Sequence, residues 1–156
     1  MTYRIFFEMK KEPFCADVEL AHILETDALK AVSERVHYAM NIGAMALVTG
    51  EIGSGKSTAL RYVTEKLHPS EYRPLYIVAT TGAIAELYRQ LLHALGAPMK
   101  GVSKAIMVQR IRDELQDLVR GKKLKTVLVI DEASLLRLEV FAELHTLTQF
   151  EKDSKP

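Results

Sequence analysis

Gly50-Glu51-Ile52-Gly53-Ser54-Gly55-Lys56-Ser57 is the stretch that decides the fold of this 156-residue chain. An apolar run, Ala44–Thr49, comes directly before it, and a segment with apolar residues at helical spacing, 56–67, follows it. A short apolar run without alternation predicts a strand that is buried on both faces. The glycine-rich stretch is therefore predicted to connect a buried strand to an amphipathic helix.

Strand, glycine-rich loop and helix in this order form the context in which such loops bind phosphate. Glycines let backbone N–H groups turn inward around an anion, and the helix that begins at Lys56 adds its positive dipole end. Lys56 is expected to reach the β- and γ-phosphates of ATP, and Ser57 to offer its hydroxyl to Mg²⁺. The structural alternative is a glycine-rich turn that binds nothing. The residues expected to contact the nucleotide are Gly50, Glu51, Ile52, Gly53, Ser54, Gly55, Lys56, Ser57 and Thr58.

An acidic pair, Asp131 and Glu132, follows another apolar run, Thr126–Ile130. Ligands of parallel sheets bind at the carboxyl ends of strands, where Gly50 and Asp131 would both lie. Asp131 is expected to hold Mg²⁺ together with Ser57. Glu132 is expected to be catalytic, alongside Lys56, by polarising the water that attacks the γ-phosphate. The structural alternative for the pair is an acidic helix cap.

The remaining elements alternate between helices and strands. The predicted helices span 27–42 with Asp27 as its cap, 56–67, 81–95 with Thr81 as its cap, 103–121 and 138–150. The predicted strands are Ala44–Thr49, Pro74–Val78 and Thr126–Ile130, all buried. This order predicts an α/β fold with a parallel sheet and helices on both of its faces. Residues 1–26 are expected to be irregular and to flank the nucleotide site.

Composition excludes several other classes of protein. The formal net charge of +1 gives no global attraction to nucleic acid. Cys15 is the single cysteine, so an internal disulfide and a cysteine-based zinc site are excluded. The longest apolar run, near 42–48, is far shorter than the roughly 20 residues that cross a bilayer, so no membrane span and a cytoplasmic location are expected. The lysine-rich stretch 122–125 is expected to be a solvated turn, with a DNA contact as the alternative.

The glycine-rich motif and the motif with the acidic pair resemble those of a known family. Gly50–Ser57 resembles a Walker A motif, and Val127–Ala133 resembles a Walker B motif of AAA+ ATPases. A second resemblance is to a bacterial branch that includes general secretion pathway protein A ATPases and transposon helper ATPases. It is carried by Phe6-Phe7, Pro13-Phe14, Asp27-Ala28-Leu29 and Leu47-Val48-Thr49-Gly50-Glu51. The resemblance covers nearly the whole chain. It implies a P-loop NTPase of the AAA+ type, with 27–156 as a partial ATPase domain.

Members of this family continue into a fourth strand with a polar sensor residue, a fifth strand, an arginine finger and a helical lid. These elements are expected to be absent from a chain that ends at Pro156. In the family's order the fourth strand lies between the strands of Walker A and Walker B. The resemblance therefore implies a sheet that lacks a central member and self-associates through exposed strand edges. Because an arginine finger contributes roughly 10³ to 10⁵ in rate, the chain is expected to bind ATP and to hydrolyse it slowly.

The leading functional hypothesis is ATP binding and hydrolysis by an AAA+ module that acts as a motor or switch on a macromolecular partner. The alternatives are an ATP-controlled DNA-binding transposition helper and a catalytically silent nucleotide-binding fragment. Expected partners besides ATP are further copies of the chain, and DNA, a transposase or a secretion-system protein. A GTPase is not expected because no [NT]-K-x-D run is present to recognise guanine.

Overall fold

A computed structural model of the chain describes residues 2–10, 12, 18–80, 84–98 and 103–148. The chain divides into two compact units, residues 1–66 and 67–156. The first unit contains the helices α1 (Tyr3–Phe6), α2 (Asp27–Asn41) and α3 (Lys56–Glu65). The second contains β1 (Tyr72–Val78), α4 (Ile84–Leu95), α5 (Lys104–Gln116), β2 (Lys125–Asp131) and α6 (Leu138–Thr148). Phe14, Cys15, Thr81 and Phe150, which were named above, lie outside the described residues.

Helix α2 begins as predicted, but its cap is Thr26 and not Asp27. The Thr26 side-chain oxygen accepts a hydrogen bond from the backbone N–H of Leu29 at 3.2 Å. Asp27 is instead the first helical residue, where its carboxylate lies near the positive end of the helix dipole. The prediction of Asp27 as the cap was wrong because a threonine one residue earlier supplies the same acceptor. At the other end Gly43 has a φ of +65° and ends the helix as predicted.

Helix α3 packs against α2 through a small core. The buried members are Leu29, Ala59, Tyr62 and Val63, with Leu20, Ile23, Val32, Val36 and Met40 packed around them. Ala59, Tyr62 and Val63 share one side of α3 because residues three and four apart lie on the same helix face. This core fixes the position of the helix that follows the glycine-rich loop. The preceding stretch 1–26 holds α1 and a single 3₁₀ turn, Leu20–His22, among its described residues.

Residues 44–49, predicted to be a buried strand, form no strand in the structure. Met45 and Leu47 are 78% and 80% exposed. A strand requires a neighbour for its backbone N–H and C=O groups, and among the described residues the sheet contains β1 and β2 alone. The prediction failed because apolar composition indicates a tendency to form a strand but does not supply the partner strand.

The sheet of the second unit is parallel, as predicted. Strand β1 pairs with β2 in a register that sets Tyr72 opposite Lys125 and Val78 opposite Asp131. Both strands extend beyond the predicted ranges, because Tyr72-Arg73 and Lys125 continue the pairing at the amino ends and Asp131 continues it at the carboxyl end. The α/β class is therefore confirmed.

The core of the second unit covers one face of this sheet. Leu75 and Ile77 of β1 pack with residues of α4, α5 and α6, among them Leu87, Leu91, Leu92, Met107, Ile111, Val140, Leu144 and Leu147. Tyr76 and Val78 alternate with them and are 42% and 48% exposed. The prediction that β1 is buried was therefore wrong for these two positions, because successive side chains of a strand point to opposite faces.

The helices of this unit end close to their predicted bounds. Gly96 has a φ of +78° and terminates α4 as expected. Helix α5 continues into a π-helical turn, Asp117–Gly121, and the two together match the predicted helix 103–121. None of the helices in the described part of the chain has the length and apolar character that a membrane crossing requires.

A polar cluster joins α6 to α4 and α5. The buried Tyr88 donates from its hydroxyl to Oε2 of Glu143 at 2.5 Å, and the Lys104 ammonium lies 2.6 Å from Oε1. The hydrogen bonds from Lys104 and then from Tyr88 lower the pKa of Glu143. Burial raises the pKa of Tyr88, with the Glu143 hydrogen bond acting in the same direction. The cluster therefore holds α6, which follows the acidic pair, in place.

Candidate nucleotide-binding site

The glycine-rich loop adopts a backbone that glycine makes accessible. Gly53 and Gly55 have φ angles of +81° and +86°, a region in which a Cβ atom introduces strain. Gly50 is constrained by space, since a Cβ built on it would lie 2.7 Å from Oγ of Ser54. The loop therefore folds back on itself at its first glycine and twists at the other two. Without Cβ atoms at these positions, the backbone of the loop can approach an anion closely.

Lys56 closes this loop from the helix side. Its ammonium donates to the carbonyl oxygens of Gly50 at 2.9 Å and Glu51 at 2.8 Å. These two bonds hold the charged end of the side chain against the loop backbone. An ammonium carries three N–H donors, so these bonds leave one for a further acceptor such as a phosphate oxygen.

The first turn of α3 is suited to an anion. Gly55 is its N-cap and supplies no side-chain acceptor. Within this fully described helix the first turn also has no acidic residue that would offset the positive dipole end. Ser57 and Thr58 are exposed there, with their hydroxyls beside the uncapped N–H groups. The turn therefore offers backbone and hydroxyl donors to a ligand that arrives from solvent.

The outer part of the loop is open. Glu51, Ile52 and Ser54 are all exposed, and Ile52 is not covered by any other part of the described chain. The residues 50–58, which were predicted to contact the nucleotide, therefore lie in a largely accessible turn, and their contact with a nucleotide stays a prediction. The strand that was expected to lead into it is the part that the structure does not contain.

The far end of α3 is held by a second polar cluster. Tyr62 donates from its hydroxyl to Glu25, and the Lys66 ammonium lies 2.9 Å from the same carboxylate and 3.9 Å from the Tyr62 ring centroid. The Tyr62 hydrogen bond, followed by that of Lys66, lowers the pKa of Glu25. The Tyr62 hydrogen bond, followed by that of Glu25, raises the pKa of Lys66. The cluster connects α3 to the segment before α2 and so steadies the helix that carries Lys56.

The acidic pair lies in the second unit, at the carboxyl end of β2. Asp131 is the last residue of that strand, and its carbonyl oxygen accepts from the N–H of Ala79 at 2.8 Å. Its carboxylate is held on both oxygens. Oδ2 accepts from the Tyr76 hydroxyl at 2.7 Å, and Oδ1 accepts from the Glu132 backbone N–H at 2.9 Å. The side chain is therefore fixed in one orientation at the sheet edge where a ligand was expected.

Glu132 has a left-handed backbone, with φ of 54° and ψ of 33°. Its carbonyl oxygen accepts from the N–H of Leu135 at 2.9 Å, which closes a 3₁₀ turn over Ala133–Leu135. The side chain itself is exposed. A left-handed conformation costs a residue with a Cβ about 1–2 kcal/mol, and strain of this kind concentrates at functional sites. Glu132 thus separates the end of β2 at Asp131 from the turn that begins at Ala133.

Tyr76 is the residue that sequence reasoning missed. It lies two positions before the carboxyl end of β1, on the face of the sheet that also carries Asp131. A tyrosine near a strand end in a run of aliphatic residues was the available signal. Its link to Asp131 depends on the register of the two strands, which the sequence does not give.

The lysine-rich turn has partners within the chain. The Lys122 ammonium lies 3.3 Å from Oδ2 of Asp117, and the Lys125 ammonium lies 5.4 Å from the ring centroid of Tyr72. Both residues are exposed. These contacts agree with a solvated turn in which Lys122 and Lys125 interact with neighbouring side chains.

The available oxygen donors are suited to Mg²⁺ that arrives with a nucleotide. Among the described residues no group of three or more His, Cys, Asp or Glu is arranged to hold a metal ion. Ser57 in the first unit and Asp131 in the second offer hard oxygen atoms. Mg²⁺ is typically bound by one or two such groups, with water and substrate phosphates completing its shell. Each of these oxygen donors, taken by itself, fits a Mg²⁺ ion that is bound mainly by water and by the phosphates of a nucleotide.

Comparison with known proteins places the chain in a family. A family model described as AAA domain matches residues 42–156, which include both the loop and the acidic pair. General secretion pathway protein A of Aeromonas hydrophila is 28% identical over 156 residues, which cover 98% of this chain. The chain spans 28% of the length of that relative. No solved structure matches.

Proposed function

The chain belongs to the AAA domain family, and from this premise we propose that it binds ATP with Mg²⁺ and hydrolyses the bond between the β- and γ-phosphates. The observation that carries the proposal is the loop 50–57, where Lys56 folds back onto two loop carbonyls beside an uncapped helix start. That arrangement concentrates N–H donors and one positive charge in a single exposed turn. A triphosphate is a ligand that uses all of them.

The proposed roles follow from the chemistry of each group. The loop N–H groups and Lys56 bind and orient the β- and γ-phosphates, which neutralises charge before reaction. Ser57 and Asp131 would hold Mg²⁺, which supplies further charge stabilisation on the phosphate oxygens when it is bound. Glu132 accepts the proton of the attacking water. Its exposed side chain keeps access to solvent water.

The resemblance to general secretion pathway protein A supports a more specific proposal. We place the activity in a cytoplasmic module that uses ATP as a motor or switch on a protein of a secretion apparatus. The similarity runs over nearly the whole of this chain but over a minor part of the relative. The transposition-helper alternative predicts a DNA-binding surface, and the lysine-rich turn, whose Lys122 and Lys125 have local partners, gives it little support.

The proposal is tested by separating binding from turnover at Glu132. In the intact protein Glu132→Gln should keep Mg·ATP affinity within about twofold, because the carboxylate acts on water in the transition state. Hydrolysis should fall by about 10² to 10⁴, the usual contribution of a general base. Glu139→Gln is the matched control, since Glu139 is also exposed and lies in the first turn of α6. Hydrolysis by Glu132→Gln at the wild-type rate would remove the assigned role.

A further inference from the structure

The stretch 120–125, which we call the basic turn, leads from the end of the π-helical turn after α5 into β2. It carries Arg120, Lys122, Lys123 and Lys125, and all four of these cations are exposed. We propose that the basic turn is a docking surface for an acidic segment of a partner protein. The inference goes beyond the proposed ATP site and does not depend on it.

Contacts within the chain occupy only part of this positive charge. The Lys122 ammonium lies 3.3 Å from Oδ2 of Asp117, and the Lys125 ammonium lies over an aromatic ring. Among the described residues, the side chains of Arg120 and Lys123 form no ion pair and no hydrogen bond. These two cations are therefore open to carboxylates of another molecule.

The backbone of the basic turn is held in place, so its cations are presented from a fixed base. Three of its backbone N–H groups donate to carbonyl oxygens of other segments. The pairs are Lys122 with Asp117 at 2.9 Å, Leu124 with Leu118 at 2.9 Å and Lys125 with Glu71 at 2.8 Å. Lys123, between them, has a left-handed backbone with a φ of 56°. A surface that is already ordered loses less conformational freedom on binding, which lowers the cost of association.

The position of the basic turn separates it from the acidic pair. Lys125 begins β2 and Asp131 ends it. The strand has 7 residues, and at about 3.3 Å per residue its two ends are about 20 Å apart. A partner segment on the basic turn therefore leaves the carboxyl end of β2 accessible.

The size and charge of the surface favour an acidic peptide over nucleic acid. Two carboxylates, those of Asp117 and Glu71, adjoin the four cations, so the local excess of positive charge is small. Proteins that bind DNA strongly through its backbone make about 6–10 phosphate contacts. The basic turn has fewer cations than that, and the formal net charge of the whole chain is +1. A peptide with a few carboxylates matches the charge that Arg120 and Lys123 leave open.

The test measures binding of a fluorescently labelled hexaglutamate peptide to the whole chain by anisotropy, at low ionic strength, where exposed charges are least screened. An exposed ion pair contributes a factor of up to about five in affinity. Arg120→Gln/Lys123→Gln should therefore weaken binding about tenfold. The charge-preserving variant Arg120→Lys/Lys123→Arg should keep the wild-type affinity.

The matched control is Arg89→Gln/Arg137→Gln, which removes the same charge from two other exposed arginines of the second unit. It should change the affinity by less than about twofold. Equal weakening by the control and by Arg120→Gln/Lys123→Gln would show attraction to overall charge and overturn the inference. Equal weakening by the charge-preserving variant would show a backbone effect and also overturn it, as would absence of hexaglutamate binding to the wild type.

Two other probes test the class of partner. A short DNA duplex and vesicles of phosphatidylcholine with phosphatidylserine are titrated against the same variants. If either binds more tightly than hexaglutamate and loses affinity in Arg120→Gln/Lys123→Gln, the partner is not an acidic protein segment and the inference is wrong. Mg·ATP affinity should be the same in that variant and in the wild type. The peptide and ATP titrations are separate measurements, so failure of one proposal is distinguishable from failure of the other.

Discussion

Replacing Glu132 by glycine should stabilise the second unit while it abolishes turnover. Glu132 has a φ of 54°, and a residue with a Cβ pays about 1–2 kcal/mol for that conformation. Glycine relieves this strain but loses about 0.5–1 kcal/mol more chain entropy on folding. Because the Glu132 side chain is exposed, its removal eliminates few packing contacts. The net effect of Glu132→Gly on the free energy of unfolding should be a gain of about 0.5–1 kcal/mol.

The matched control is Glu132→Ala, which removes the same carboxylate but keeps a Cβ atom. Its free energy of unfolding should stay within about 0.5 kcal/mol of the wild type. Urea denaturation and thermal melting followed by circular dichroism measure both variants, and 1 kcal/mol corresponds to about 4–8 °C for a domain of 60–100 residues. If Glu132→Gly is no more stable than Glu132→Ala, the left-handed backbone at Glu132 does not store strain and this reasoning is wrong.

Two further predictions concern stability and association. The folded-state pKa of Glu143 is lowered, first by Lys104 and then by Tyr88, from an ordinary value of 4.5. This contribution to stability is therefore present above pH 4.5 and is lost as the pH falls below that value. Glu143→Gln should flatten the fall of stability on the acid side of pH 4.5, and an unchanged fall would contradict this. The exposed apolar run around Leu47 should promote self-association. Leu47→Lys should therefore lower the fraction of oligomer measured by analytical ultracentrifugation. The control Leu24→Lys, at a position that is also 80% exposed, should leave that fraction unchanged. Equal effects of the two substitutions would show that the run has no special role.

Local signals predicted the positions of most helices. Gly43 and Gly96 have positive φ angles where the sequence predicted helix ends, because glycine adopts that conformation without the strain of a Cβ. The loop 50–57 required its glycines for a similar local reason. The cap of α2 was misplaced by one residue, since Thr26 and Asp27 both carry acceptors and only geometry decides between them.

Features that depend on distant parts of the chain could not be predicted from these signals. Residues 44–49 have a strand-like composition, but a strand exists only where another strand pairs with it. The contact of Tyr76 with Asp131 joins residues 55 positions apart and follows from strand register. The left-handed backbone of Glu132 could not be predicted from the sequence either, because glutamate seldom adopts this conformation. The acidic pair is thus visible in the sequence, whereas the contacts that hold it in the structure are not.

Calorimetric titration of Mg·ATP into the wild-type chain and into Lys56→Ala tests the central claim most directly. Lys56 spans the loop through its bonds to the Gly50 and Glu51 carbonyls and presents the charge that would meet the phosphates. Its removal should weaken binding at least tenfold, which is about 1.4 kcal/mol, while Lys122→Ala, at an exposed lysine of the second unit, leaves the affinity unchanged. Equal affinities of wild type and Lys56→Ala would contradict the assignment of this loop as the nucleotide site.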